Sequence, residues 1–169
     1  NWKWVCPGAG AHYNGTAYDP RTGLIFVGMV DWCRYFKSTP PTSDTDYAGG
    51  STTPDYSALP EGRITGLNAS SGQTLWRFQN DAPVIAGLVT TKSGLLFAGD
   101  VKGRLLVFGF NPTSLWGLQQ KGRLLAQRMG SREPPVIPDV DDLIRLGLLR
   151  DWLRLLGFEI EGGCFGCYR

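Results

Sequence analysis

The chain has 169 residues, 42% hydrophobic and 19% charged, with 23 glycines and 11 prolines: enough for one cored domain or two small pieces rich in turns and short strands. A net charge of +2 gives no footprint for nucleic acid or an anionic membrane. No apolar run of about 18 residues is present to span a bilayer, no signal-peptide pattern opens the chain, and Asn rather than Met at position 1 fits a fragment.

Residues 1–30 read as a loop, a turn at 19–23 and a strand. In residues 17–28, AYDPRTGLIFVG, Asp19 and Pro20 lead into Gly23, whose positive φ closes a tight turn, and Leu24-Ile25-Phe26-Val27 suits a half-buried strand. Residues 37–60 carry Pro, Ser, Thr, Asp and Gly with almost no aliphatic run. They read as an excursion loop in which Asp44 and Asp46 are solvated rather than metal ligands. The first turn is echoed in residues 66–78, GLNASSGQTLWRF, where Gly72 precedes Thr74-Leu75-Trp76. Strands over 63–67 and 73–79 are expected to pair across it. Strands at 84–91, 95–100 and 104–110 follow, the last two joined by a short turn containing Gly103. One hairpin unit recurring at tens of residues is the mark of a radial β architecture. The expected fold class is mainly β: a partial β-propeller of about two to three blades over 1–108, then a small α+β tail.

The pattern changes after Phe108. Residues 109–138 read as a linker in which Asn111-Pro112 ends a strand and Ser114 caps a short helix carrying Leu115, Trp116 and Leu118. A basic stretch runs to Arg132, followed by Pro134, Pro135 and Pro138. In residues 139–169, Asp139 is a candidate helix cap, with Asp141 and Asp142 at the positive end of the dipole. Leu146, Leu149, Trp152, Leu153 and Leu156 recur at helical spacing, with Arg145, Arg150, Asp151 and Arg154 on the other face. Gly157 is the expected stop, Phe158 the apolar contact after it, and a hairpin turning at Gly162-Gly163 the end. An unclosed set of blades leaves apolar faces and strand edges available. The helix is expected to cover one such face, and the edges offer a route to self-association.

The run Cys6-Pro7-Gly8, then Asn14-Gly15-Thr16-Ala17-Tyr18-Asp19-Pro20-Arg21-Thr22-Gly23-Leu24, then Val30-Asp31-Trp32-Cys33, resembles the late blades of quinoprotein alcohol dehydrogenases, which use pyrroloquinoline quinone (PQQ). Residues 68–76 look like that family's blade-closing motif, and 86–100 are similar to its next strand pair, so the resemblance covers 1–108. It implies an eight-bladed parent, an oxidoreductase acting on a small-molecule alcohol or sugar in the periplasm. The family's catalytic Asp, calcium ligands and paired-cysteine motif would lie upstream of Asn1. No catalytic or metal residue is therefore assigned, calcium is not expected to be retained, and little or no activity is expected of the chain alone. His12 and Tyr13 stand where the family has Asn and Trp ahead of Asn14-Gly15, and that Asn position faces the quinone. The resemblance thus implies His12, Tyr13 and Asn14 as cofactor-binding residues, with the His12 imidazole able to donate to a quinone oxygen; the bland reading of His12 is a solvated turn residue. It also implies an oxidising compartment, in which Cys6 and Cys33 form a disulfide or remain two buried thiols.

A second resemblance joins residues 103–112, Ser114-Leu115-Trp116-Gly117 and residues 149–159 to the C-terminal third of bacterial class I methyltransferases dependent on S-adenosylmethionine. It implies a fusion of two partial families, the cofactor loop of the second lying outside this piece. Cys164 and Cys167 form a C-x-x-C with no second ligand pair for zinc, and a single His leaves few ways to build a triad. The sequons at Asn14 and Asn68 lie inside turn motifs. The alternatives to a dehydrogenase fragment are a methyltransferase remnant and a non-enzymatic β-rich interaction module.

Overall fold

The computed structural model describes residues 1–8, 10–11, 14–40, 50–109, 122 and 144–163. The strands are β1 (Lys3–Val5), β2 (Ala17–Asp19), β3 (Leu24–Asp31), β4 (Arg34–Ser38), β5 (Gly50–Pro54), β6 (Glu61–Asn68), β7 (Thr74–Asn80), β8 (Val89–Thr90), β9 (Leu96–Gly99) and β10 (Leu105–Phe108). They form three open sheets, ordered β1-β4-β5, β10-β9-β8 and β2-β3-β6-β7. A helix, α1, spans Leu146–Leu155. The architecture is mainly β with antiparallel pairing in the β1-β4, β4-β5 and β6-β7 ladders, as expected from the recurring hairpins.

Four corners repeat one piece of chemistry. A short polar side chain at the end of a strand accepts main-chain N–H groups, and a glycine at positive φ turns the chain back. Asp19 Oδ1 accepts the Arg21 amide at 3.0 Å, Asn68 Oδ1 accepts Ser70 and Ser71, Thr91 Oγ1 accepts Leu95, and Asp100 Oδ1 accepts Lys102 and Arg104. Gly23, Gly72, Gly94 and Gly103 follow with φ from 65° to 78°, each donating its N–H to the carbonyl of the leading polar residue. Such side chains mimic a backbone turn, and only glycine enters this region without a Cβ penalty.

The chain divides into two compact units. The first comprises Asn1–Ala17, Ile25–Val89 and Ala98–Leu106. Its core is Ile64 and Val84, both wholly enclosed, with Val30, Ala82, Leu88 and Ala98. Burying Ile64 or Val84 contributes roughly 2 kcal/mol each. The β6-β7 ladder runs from Gly62↔Asn80 to Gly66↔Trp76 and slips by a bulge at Gly66/Leu67. Phe26 meets Trp76 edge-on at 6.1 Å. Gly62 is sterically required: a Cβ there would stand 2.2 Å from the Ala82 carbonyl oxygen and 2.6 Å from the Val84 nitrogen.

The second unit comprises Tyr18–Leu24, Thr90–Phe97 and Val107–Arg169. Leu95 and Leu96 are buried in it, and Arg21 donates to the main-chain carbonyls of Thr91 and Lys92 while pairing with Asp19 at 3.1 Å. Helix α1 ends as expected. Gly157, at φ 84°, donates to the Arg154 carbonyl and Phe158 to that of Leu153, the paired bonds of a Schellman stop.

Five expectations change. The stretch read as a loop over 37–60 contains β5, which pairs along the whole of β4 from Arg34↔Pro54 to Ser38↔Gly50; residues 41–49 lie outside the described residues. Residues 1–8, read as a loop, contain β1, which also pairs with β4. The strand expected over 84–91 is reduced to β8 and a bridge at Val84↔Asp100, because Pro83 and Gly87 interrupt a regular ladder. Helix α1, expected to cover a blade face, has no fully buried residue; Leu149 and Leu153 are half-buried. Residues 158–163 carry no strand, and the remainder of the expected terminal hairpin, including Cys164 and Cys167, lies outside the described residues. So do the short helix at 114–118, Asp44, Asp46 and the Asp139 cap.

Candidate functional site

Cys6 and Cys33 form a disulfide that closes a sequence separation of 27 residues. Beside it, Gly8 donates to the Trp32 carbonyl at 2.8 Å, and Gly10 and Val30 exchange two main-chain bonds. This lays the segment after Cys6 along the end of β3. Asn14 follows: its Nδ2 donates to the Gly28 carbonyl at 3.1 Å and to the Val84 carbonyl at 3.2 Å. The Gly15 carbonyl in turn accepts the Leu88 amide. Gly28 permits this approach, since a Cβ there would lie 3.0 Å from Leu88 and 3.1 Å from the Asn14 nitrogen. The Asn14 amide nitrogen therefore ties β3 to the 84–88 segment. His12 and Tyr13, the other two cofactor-binding candidates, lie outside the described residues.

A polar-aromatic rim surrounds Asp55. The Trp4 indole donates to Asp55 Oδ2 at 2.9 Å, the Trp32 indole to the Asp55 carbonyl at 3.1 Å, and the Ser57 hydroxyl and amide to Asp55 Oδ1 at 2.6 and 3.0 Å. The Ser57 hydroxyl, then its amide, then the Trp4 indole hold the Asp55 carboxyl below its ordinary range. Tyr56 stands edge-on to Trp32 at 6.3 Å, and the Arg34 guanidinium sits 5.7 Å from the Trp32 ring centroid. The sequence signalled only the Trp32-Cys33 pair here. The rim depends on β1 and the residues after β5, both read as loop.

A third cluster closes the turn between β9 and β10. The Asp100 carboxylate is wholly enclosed and accepts Arg104 Nε at 2.7 Å and Asn80 Nδ2 at 3.0 Å, while Asn80 also donates to the Ala82 carbonyl. Arg104 pairs in addition with Asp81, which Lys102 meets at 2.8 Å. Burial pushes the Asp100 carboxyl up, but the bonds from Arg104 and Asn80 outweigh it and hold the carboxyl below its ordinary range. Arg104, then Lys102, brings Asp81 to about 2, and the same bonds raise the Arg104 guanidinium. These acids and bases are engaged with one another, which is the chemistry of a clamp rather than of proton transfer to a ligand.

A shallow depression along β7 is lined by Thr74, Leu75, Trp76 and Arg77. Among the described residues no three His, Cys, Asp or Glu side chains gather to hold a metal ion, and no helix is long and apolar enough to cross a membrane.

No family model and no curated protein matches the chain. Solved structures do. The quinohemoprotein alcohol dehydrogenase of Comamonas testosteroni is 16% identical, with a TM-score of 0.50, covering 64% of this chain and 18% of that one. The quinohemoprotein alcohol dehydrogenase ADHIIG of Pseudomonas putida HK5 is 16% identical, with a TM-score of 0.49, covering 59% and 17%. A europium-containing methanol dehydrogenase is 19% identical, with a TM-score of 0.40, covering 64% and 22%. The fold is thus of the kind found in propeller-type quinoprotein dehydrogenases. The chain spans about a fifth of the length of each of these proteins. The resemblance of residues 103–169 to methyltransferases gains no support from the comparisons.

Among the described residues no acidic cluster offers the about six to eight oxygen ligands that a calcium ion takes, and the Asn14 amide nitrogen is directed at two main-chain carbonyls.

Proposed function

We infer that the chain is a segment of a PQQ-dependent dehydrogenase acting on alcohols or sugars, with little or no activity alone. The observation that carries this reading is the backbone likeness to the Comamonas testosteroni enzyme over 64% of the chain. The Cys6–Cys33 disulfide supports a periplasmic or otherwise oxidising setting. In this reading His12, Tyr13 and Asn14 stand at the quinone's rim, and the neighbouring blades of a complete ring supply the catalytic acid and the calcium ligands. The outer strands of the open sheets are the surfaces on which such blades, or a second copy, would seat.

The test is a titration of the chain with PQQ and calcium, read by tryptophan quenching and by dye reduction in the presence of ethanol or glucose. The expected result is weak saturable quenching, reduced several-fold by His12→Ala, with no alcohol-dependent dye reduction. Quenching indifferent to His12→Ala would remove the assigned rim, and sustained turnover would overturn the inactive-segment reading.

A further inference from the structure

Strands β1 and β4 pair in antiparallel register, Lys3 facing Phe36, Trp4 facing Tyr35 and Val5 facing Arg34. The next pair in that register is Cys6 and Cys33, so the disulfide forms a rung of the ladder itself. What it holds differs on its two sides. After Cys6 the main chain is fixed without sulfur: Gly8 donates to the Trp32 carbonyl, and Gly10 and Val30 exchange two bonds. Before Cys6, β1 lies at the edge of its sheet with β4 as its strand neighbour, and all three of its residues are exposed. Its side-chain tie among the described residues is the Trp4 indole bond to Asp55 Oδ2. Strand β4, by contrast, keeps a five-residue ladder with β5 on its other edge. Cys6 is exposed and Cys33 half-buried.

We propose that the Cys6–Cys33 disulfide is a redox latch on β1: a dithiol opens it in the folded protein, β1 leaves the edge of β4, and the rest of the sheet stays in place. One thiolate of the dithiol attacks the exposed Cys6 sulfur, forms a mixed disulfide there and releases Cys33 as thiolate. The second thiol then displaces Cys6, and the reagent departs as its own disulfide. Two electrons and two protons pass from the dithiol to the cysteine pair. A short edge ladder with exposed side chains belongs to the low-stability end of local opening. The disulfide suppresses that opening by keeping Cys6 opposite Cys33. Release removes the indole donor from Asp55 Oδ2 and bares the main-chain groups of β4 on that side. The polar-aromatic rim and the sheet edge thus exist in two states, set by the thiol poise around the protein. Neither a quinone nor a neighbouring blade enters into the latch.

The experiment treats the whole chain with dithiothreitol without denaturant, and follows hydrogen exchange by peptide. Free cysteines are alkylated and mapped, so that Cys6 and Cys33 are read apart from Cys164 and Cys167. Cys6 and Cys33 are expected to become alkylated, and exchange over residues 1–5 to quicken by about tenfold or more. The β4-β5 and β6-β7 ladders are expected to keep their protection, and reoxidation to restore that of residues 1–5. The double substitution Cys6→Ser with Cys33→Ser is expected to reproduce the reduced pattern with no response to dithiothreitol. Three results overturn the proposal. Cysteines that stay unreactive until denaturant is added make the disulfide a sealed staple. Equal exchange over residues 1–5 in both states shows that the disulfide does not govern β1. Loss of protection that extends to β6 and β7 makes it a support of the whole core and not a latch on one strand.

Discussion

Between Asn80 and Arg104, charged and polar groups answer one another: Asp100 is enclosed by Arg104 and Asn80, the exposed Asp81 pairs with Arg104 and Lys102, and the Asn80 amide also reaches Ala82. Along α1 the arrangement is opposite, with Leu146, Leu148 and Leu155 exposed and arginines without ion pairs among the described residues. The hairpin corners meet their polar needs within a few residues and then add long-range pairing. The helix meets only its backbone needs, through its hydrogen bonds and its glycine stop. Stability is therefore expected to concentrate in the first region, and substitutions to register there.

The largest effect is expected at Gly62, where an added methyl meets main-chain atoms that cannot swing aside. Gly62→Ala is expected to cost about 3 kcal/mol in chemical denaturation, near the upper end for overpacking. An effect below about 0.5 kcal/mol, the size of an ordinary surface change, would mean that the 82–84 segment does not cross β6 this closely.

Asp100→Ala comes next, at about 2 kcal/mol, since it leaves Asn80, Arg104 and two turn amides short of an acceptor. The same clamp has a pH signature. Asp81 and Asp100 have folded pKa values below their ordinary range, so their contribution is fully present above about pH 4 and is lost as pH falls, for Asp81 through about 2. Thermal midpoints measured between pH 4 and pH 2 should fall, and Asp100→Asn should flatten part of that slope. An unchanged slope in the variant would show that the clamp does not form.

What could be read in advance follows the range of the interactions. The glycine corners and the Gly157-Phe158 stop are local, their donors and acceptors lying within five residues, so the sequence pattern carries them. The β4-β5 hairpin was missed because Ser51-Thr52-Thr53 shows no apolar alternation. Its strand character comes from pairing with Tyr35 and Phe36, across a connection whose length hides the partner. Asn14 could be singled out by resemblance but not by role, since its carbonyl partners Gly28 and Val84 lie 14 and 70 residues away. The Asp100–Arg104 pair is four residues apart, whereas Asn80 and Asp81 reach it from 20 and 23 residues away, beyond any local pattern. For α1 the amphipathic spacing marks an apolar face, and the expectation that it covers a blade face finds no fully buried helix residue to support it.

Hydrogen exchange tests the contrast most directly. The account predicts slow exchange for the ladder amides of β6 and β7 and for Lys102 and Arg104 at their corner, with α1 amides exchanging within seconds. Protection of α1 equal to that of β6 would show its apolar face already covered by the protein and would contradict the account.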